Sequence, residues 1–286
     1  MMATDGAAVM ADGLSAPAKP YLWKRHALTT RITHWITVLS MAFLLTSGLN
    51  IFNAHPALYW GSYGADSDDN KRWLEIGSTG QQGITRIGPV KLDTTGVLGL
   101  SNDKRGQAQA IGFPGWATFP SYRDLGTARN WHFFFAWVFI LNGLVYLAAG
   151  LWSGHLKRDL LPRLSELSPR NILHDIWLHL RLKFPRGEDA KRYHILQKAA
   201  YGGTVFILLP LMVASGLSLS PGIGASWTWL IDLLGGRQSA RSIHFITMAL
   251  LVGFVIVHVA MVLLAGPFNE IRSMITGKFR IDPVKP

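Results

Sequence analysis

The stretch from Ser242 to Phe268, SIHFITMALLVGFVIVHVAMVLLAGPF, decides how the chain is read. It is long and apolar enough to cross a bilayer as one helix, and it holds two histidines, His244 and His258, 14 residues apart. Fourteen helical steps return a side chain to within about 40° of the same face and advance it about 21 Å. Histidine inside a membrane span is costly and marks a site. The residues between this pair are almost wholly apolar, so solvation does not account for them. One helix is therefore expected to offer ligands to two stacked cofactors, with partner residues facing it from other parts of the chain.

The rest of the chain sets the solvent. Its 286 residues, 49% hydrophobic with 11 Trp and a mean hydropathy of +0.22, suit one membrane domain better than a soluble one. Four apolar runs, Ile36 to Phe52, Trp131 to Trp152, Tyr201 to Leu219 and Ile243 to Leu264, each approach the length of a membrane-spanning helix. The predicted spans are 32–52, 131–152, 198–219 and 243–265. The first follows basic residues, as a secretory signal does, but it begins deep in the chain, is long for a signal core and lacks a small-residue cleavage site. It is read as a helix. Residues 1–20, rich in Ala, Gly and Asp, are read as a disordered tail. The expected fold class is an all-α membrane protein: a four-helix transmembrane bundle in residues 21–286, with connection 53–130 as an outer cap and 155–194 as a cytoplasmic connection. No span is expected to carry a buried Asp, Glu or Lys, which argues against a transporter.

Basic residues near helix ends stay in the cytoplasm. They precede span one (Lys19, Lys24, Arg25, Arg31), fill the connection after span two (Lys157, Arg158, Arg163, Arg170, Arg181, Lys183, Arg186, Lys191, Arg192) and follow span four (Arg272, Lys278, Arg280, Lys285). This predicts a multi-pass protein of the bacterial inner membrane with both termini cytoplasmic and 53–130 periplasmic. The formal charge of +11 is then assigned to topology and anionic membrane lipid, with no nucleic acid partner. The absence of cysteine excludes thiolate-bound iron–sulfur clusters, thiol catalysis and covalent c-type haem attachment.

With this topology, His34 in RITHW lies at the cytoplasmic start of span one and His132 in RNWHFFF at the outer start of span two. Span four enters from outside, which places His244 near the outer surface and His258 towards the inner one. Depth then pairs His132 with His244 and His34 with His258. A six-coordinate haem iron takes two neutral imidazoles across its plane, so two b-type haems are expected. A lone histidine at a helix end is ordinarily interfacial; four that agree in depth are not. His155 is turned about 140° from the face of His132, and His26, His55, His174, His179 and His194 are read as surface or headgroup residues.

Together RITHW, WHFFF and the IHF…VHV pair resemble the bacterial cytochrome b561 family, which includes the di-haem membrane cytochrome b subunits of hydrogenases, formate dehydrogenases and thiosulfate reductases. The resemblance covers the four spans. It implies haem ligation by His34, His132, His244 and His258, a periplasmic catalytic redox subunit with molybdenum or nickel–iron, and quinone near the inner haem, where Arg31 and His26 are candidate contacts. The expected function is electron transfer between the quinone pool and that oxidoreductase; the alternative is a stand-alone superoxide:quinone oxidoreductase using the basic surface at Arg237 and Arg241. The same two arginines are candidate partners of haem propionates.

Smaller features complete the reading. Gly143, Gly150, Gly202, Gly203, Gly216 and Gly253 are expected to let a porphyrin or a neighbouring backbone approach. Tyr59, Trp60, Trp131, Trp152, Trp227 and Trp229 read as interfacial anchors, and NILHDIWLHLRLKF as an amphipathic helix on the inner surface. The 53–130 connection is too long for a simple turn: TRIGPVKLD is expected to form a hairpin, and the segment a docking platform or lid over the outer haem. Asp66, Asp68 and Asp69 lack the spacing of a calcium loop and are read as solvated.

Overall fold

A computed structural model describes residues 19–64, 71–156, 168–181 and 195–282. Residues 1–18 of the predicted tail, the three aspartates Asp66, Asp68 and Asp69, and most basic residues between the second and third spans lie outside these residues. Four helices are long and apolar enough to cross a membrane: α1 (Leu28–Phe52), α2 (Leu125–Trp152), α4 (Ile195–Leu219) and α7 (Arg237–Ala265). Shorter helices are α3 (Pro169–Leu180), α5 (Pro221–Ser226), α6 (Thr228–Leu233) and α8 (Pro267–Thr276).

The spanning helices pack as two hairpins, α1 on α2 and the second half of α4 on α7. In α1 the buried residues Thr33, Ser40 and Ser47 recur every seven positions, and α2 carries buried Ala128, Phe135 and Asn142 at the same interval. The small side chains of the α1 stripe let two helices approach closely in a membrane, where hydrophobic burial drives little association. Asn142 tightens the seam: its amide donates to the Thr33 carbonyl and to Thr37 Oγ1, each at 2.9 Å. Between the hairpins the backbones of α1 and α2 stand off from α7, and side chains cross the gap.

α4 begins earlier than its apolar run. Asp175 of α3 accepts from the Leu196 N–H at 3.0 Å, satisfying a free donor of the helix start. The span starts three residues before the expected 198, and Lys198 within it is only 9% exposed. This corrects the expectation that no span carries a buried Asp, Glu or Lys: hydropathy locates the apolar run, whereas a capping carboxylate locates the first turn. Within α4, Thr204–Leu208 forms a π-helical turn just before Pro210, whose missing N–H and bulky ring disturb the ladder there.

The connection between α1 and α2 is β structure, so the chain is mostly helical rather than all-α. Strands β2 (Ala57–Leu58), β3 (Leu74–Ser78), β4 (Gly83–Ile87) and β5 (Val90–Asp93) form one antiparallel sheet in that order, and β6 (Gly99–Asn102) pairs with β7 (Ala108–Ile111). The expected hairpin is β4–β5, with Ile87 opposite Val90. Phe52, Leu58, Leu74 and Ile76 form a core that Phe113 and Phe245 join. At the other end of the bundle β1 (Tyr21–Lys24) pairs antiparallel with β8 (Lys278–Ile281), so both described chain ends meet. These are called below the loop end and the terminal end.

Both ends are strapped across the hairpins. At the loop end, Ser242 donates to the Tyr59 carbonyl and accepts from Trp73 Nε1 at 2.9 Å, and Ser239 accepts from the Gly61 N–H at 2.7 Å. Gly236 makes that approach possible: its φ is +103° and a Cβ there would lie 2.7 Å from the Gly61 carbonyl. At the terminal end, Arg25 pairs with Glu270 at 3.1 Å, and Trp35 Nε1 donates to the Met274 carbonyl at 3.2 Å.

Candidate functional site

The four expected histidines come together across the gap between the hairpins, as two pairs. The His132 and His244 ring centres are 6.4 Å apart at the loop end, and the His34 and His258 ring centres are 6.4 Å apart at the terminal end. A metal–imidazole bond is about 2 Å and a ring centre sits about 1.1 Å behind its nitrogen, so two imidazoles on one metal atom stand about 6.3 Å apart. Two rings joined by a direct N–H···N bond of about 3 Å would stand closer, at about 5.2 Å. Both gaps therefore have the width of one metal atom held between two rings. Among the described residues no group of three or more His, Asp or Glu is placed to hold a metal. Two axial imidazoles suffice only for a metal that brings its own equatorial donors, as the iron of haem does.

The loop-end rings are held on their far side. His132 Nδ1 is 3.1 Å from Ser47 Oγ and His244 Nδ1 is 2.9 Å from Ser215 Oγ. The next residue in each helix is glycine. A Cβ on Gly48 would lie 3.3 Å from His132 Cε1, and one on Gly216 would lie 3.2 Å from His244 Cε1. Ser47, Gly48 and Ser215 were not singled out from sequence, because a serine or glycine inside a span reads as ordinary packing. The signal is the repeated triplet Ser-Gly-Leu at 47–49 and 215–217.

The terminal-end pair has different neighbours. Among the described residues His34 Nδ1 has no hydrogen-bond partner. His258 stacks on Phe254 at 5.8 Å and 13° and meets the edge of Tyr201 at 6.1 Å. His26 lies beside this pair, outside α1; burial first and the Arg25 charge second push its pKa down to about 4, so it is neutral at ordinary pH. Arg31 donates to the Ile275 carbonyl, and its Nε is buried with no partner among the described residues.

The predicted glycines divide. Gly143, 11 residues after His132, returns to within about 20° of that face, and a Cβ there would meet nothing within 4 Å. It leaves space on the gap side of α2. Gly253 is nine residues after His244, on the opposite face of α7, and Gly150 packs on Leu156, so neither opens the gap. Gly216 meets His244, as described, and Gly203 meets nothing within 4 Å. Arg241 gives its two terminal nitrogens to the carbonyls of Ala57 and His55, another strap between α7 and the connection; Arg237 is exposed at the helix start. Tyr59, expected as an interfacial anchor, is fully buried, with its hydroxyl accepting from Arg72 Nε at 3.0 Å.

Comparison with known proteins gives the family. The prokaryotic cytochrome b561 family model matches residues 25–277, a range that includes all four histidines. The chain belongs to the prokaryotic cytochrome b561 family. Among curated proteins it is similar to the "Putative protein-methionine-sulfoxide reductase subunit YedZ1" of Azospira oryzae, at 31% identity over 252 residues, covering 88% of this chain and 96% of that protein. No solved structure matches. As a cytochrome b561, the protein is a membrane electron-transfer component, and membership implies binding of haem b.

Proposed function

We propose that this cytochrome b561 holds two b-type haems, one between His132 and His244 and one between His34 and His258, and carries electrons between quinone at the terminal end and a periplasmic oxidoreductase at the loop end. The observation behind this reading is the pair of 6.4 Å imidazole gaps, set about 21 Å apart along α7 by the 14-residue spacing. When bound, bis-histidine haem supplies one-electron redox chemistry with no open iron position for oxygen. The protein's own part is to hold the rings in place and to keep the gap apolar.

The basic residues at the terminal end support a bacterial inner membrane topology with cytoplasmic termini. They also support a surface position for α3, whose Leu173, Ile176 and Trp177 are exposed. Arg31 and neutral His26, beside His34, are the groups that would contact a quinone carbonyl. The relative named as a methionine-sulfoxide reductase subunit supports a catalytic partner, of the molybdenum or nickel–iron kind that the wider family uses, docking on the β connection. That Arg241 is engaged by two carbonyls favours this reading over superoxide capture, and leaves Arg237 the freer candidate for a propionate.

The test is the haem content of the purified protein. Two haems per polypeptide are expected, with reduced b-type bands that appear on adding a quinol analogue. One iron per polypeptide, or no b-type bands, would overturn the proposal.

A further inference from the structure

We propose that Ser47 and Ser215 are positioning residues for the loop-end pair: each accepts a hydrogen bond from the Nδ1–H of one imidazole, fixes Nε2 towards the gap and lowers the midpoint potential of iron held there. This rests on the haem reading above and goes beyond it in naming what sets the two ends apart.

The direction of the hydrogen bonds follows from their neighbours. Ser47 donates its own proton one turn back to the Phe43 carbonyl, and Ser215 donates to the Leu211 carbonyl at 2.7 Å. A hydroxyl has one proton, so what each serine offers its histidine is a lone pair. With Nδ1 carrying the proton that points at the serine lone pair, Nε2 keeps the lone pair that a metal takes. Gly48 and Gly216 let the ring edges lie against the helix.

The same device thus occurs twice, once in each hairpin, with α1 holding a ring of α2 and α4 holding a ring of α7. It does not recur at the terminal end, where His34 Nδ1 has no partner among the described residues. An acceptor on Nδ1–H enriches the ring's electron density and makes it a more basic ligand. A more basic ligand favours the higher oxidation state of its metal, so the serines poise the loop-end centre lower than its rings alone would.

The experiment is a redox titration of the b-type bands in purified wild type and in Ser47→Ala, Ser215→Ala, the double variant and Ser47→Thr, with haem per polypeptide measured on each. The loop-end component is assigned as the one that His244→Ala loses. Each alanine is expected to raise its reduced-to-oxidised ratio about threefold at fixed ambient potential, about 28 mV at 59 mV per decade. The double variant should combine both shifts, since they act on opposite rings, while Ser47→Thr keeps the hydroxyl and stays near wild type. The terminal-end component should not move. Equal movement of both components, no movement of either, or a Ser47→Thr variant that behaves as Ser47→Ala would overturn the inference. Wild type without b-type bands would instead sink the haem reading itself.

Discussion

The loop end and the terminal end hold histidine pairs of the same width by different means. At the loop end each ring is fixed behind by a serine and beside by a glycine, under a β connection tied to α7 by Ser239, Arg241 and Ser242. At the terminal end one ring has no Nδ1 partner among the described residues, and the other leans on Phe254 and Tyr201. Hydrogen bonds fix direction, whereas aromatic contacts tolerate sliding. One end is built to keep an imidazole still, the other to leave apolar room beside it.

The largest test of this contrast removes a ring. His244→Ala is expected to abolish the loop-end haem and His258→Ala the terminal-end one, each leaving about half the haem content by spectroscopy and iron analysis, because an axial ligand has no substitute nearby. If either change removed both haems, the ends would not be independent.

Next come the glycines. Gly216→Ala places a methyl 3.2 Å from His244, so overpacking of about 1 to 3 kcal/mol is set against about 1 kcal/mol of gained helix propensity; the loop-end bands should register the displaced ring. Gly143→Ala meets no protein atom. It is expected to leave the haem-free fold unchanged and to disturb the terminal-end bands alone, where a flat group fills that space. A silent Gly143→Ala would mean the gap is not occupied at that level.

The straps give smaller effects. Ser242→Ala deprives both the Tyr59 carbonyl and Trp73 Nε1 of a partner, a loss of about 2 kcal/mol for buried groups, read as a lowered melting temperature in detergent. Glu270→Gln breaks the partly exposed pair with Arg25 and should cost about 0.5 kcal/mol, less still at high salt. The smallest change is Asp124→Ala at the start of α2. The Thr127 N–H holds the Asp124 carboxyl below its ordinary value of 3.8, so its contribution is complete above that value and is lost as pH falls through the lower folded one. Wild type and variant should therefore differ slightly in melting at neutral pH and converge in acid.

Much of this was legible because membrane spans obey few rules. Hydropathy located the four helices, and the 14-residue spacing of His244 and His258 with the depths of His34 and His132 sufficed to pair the rings. What escaped depends on contacts between distant segments. Ser47 and Ser215 look like any small residue in a span until a ring from the next helix is seen against them. The first turn of α4, three residues before the predicted start at 198, is capped by Asp175, some 20 residues earlier. The strands of the connection are only two to five residues long, too short for an alternating pattern to stand out, and Arg241 is oriented by carbonyls nearly 190 positions away.

The pairing of Tyr21–Lys24 with Lys278–Ile281 bears on biogenesis. The first of these strands emerges from the ribosome about 250 residues before its partner, and both imidazole pairs likewise wait for α7. During most of synthesis the nascent chain therefore has neither histidine pair complete. On the two-haem reading proposed above, cofactor loading is a late event, and a chain truncated before α7 is expected to be empty rather than half filled.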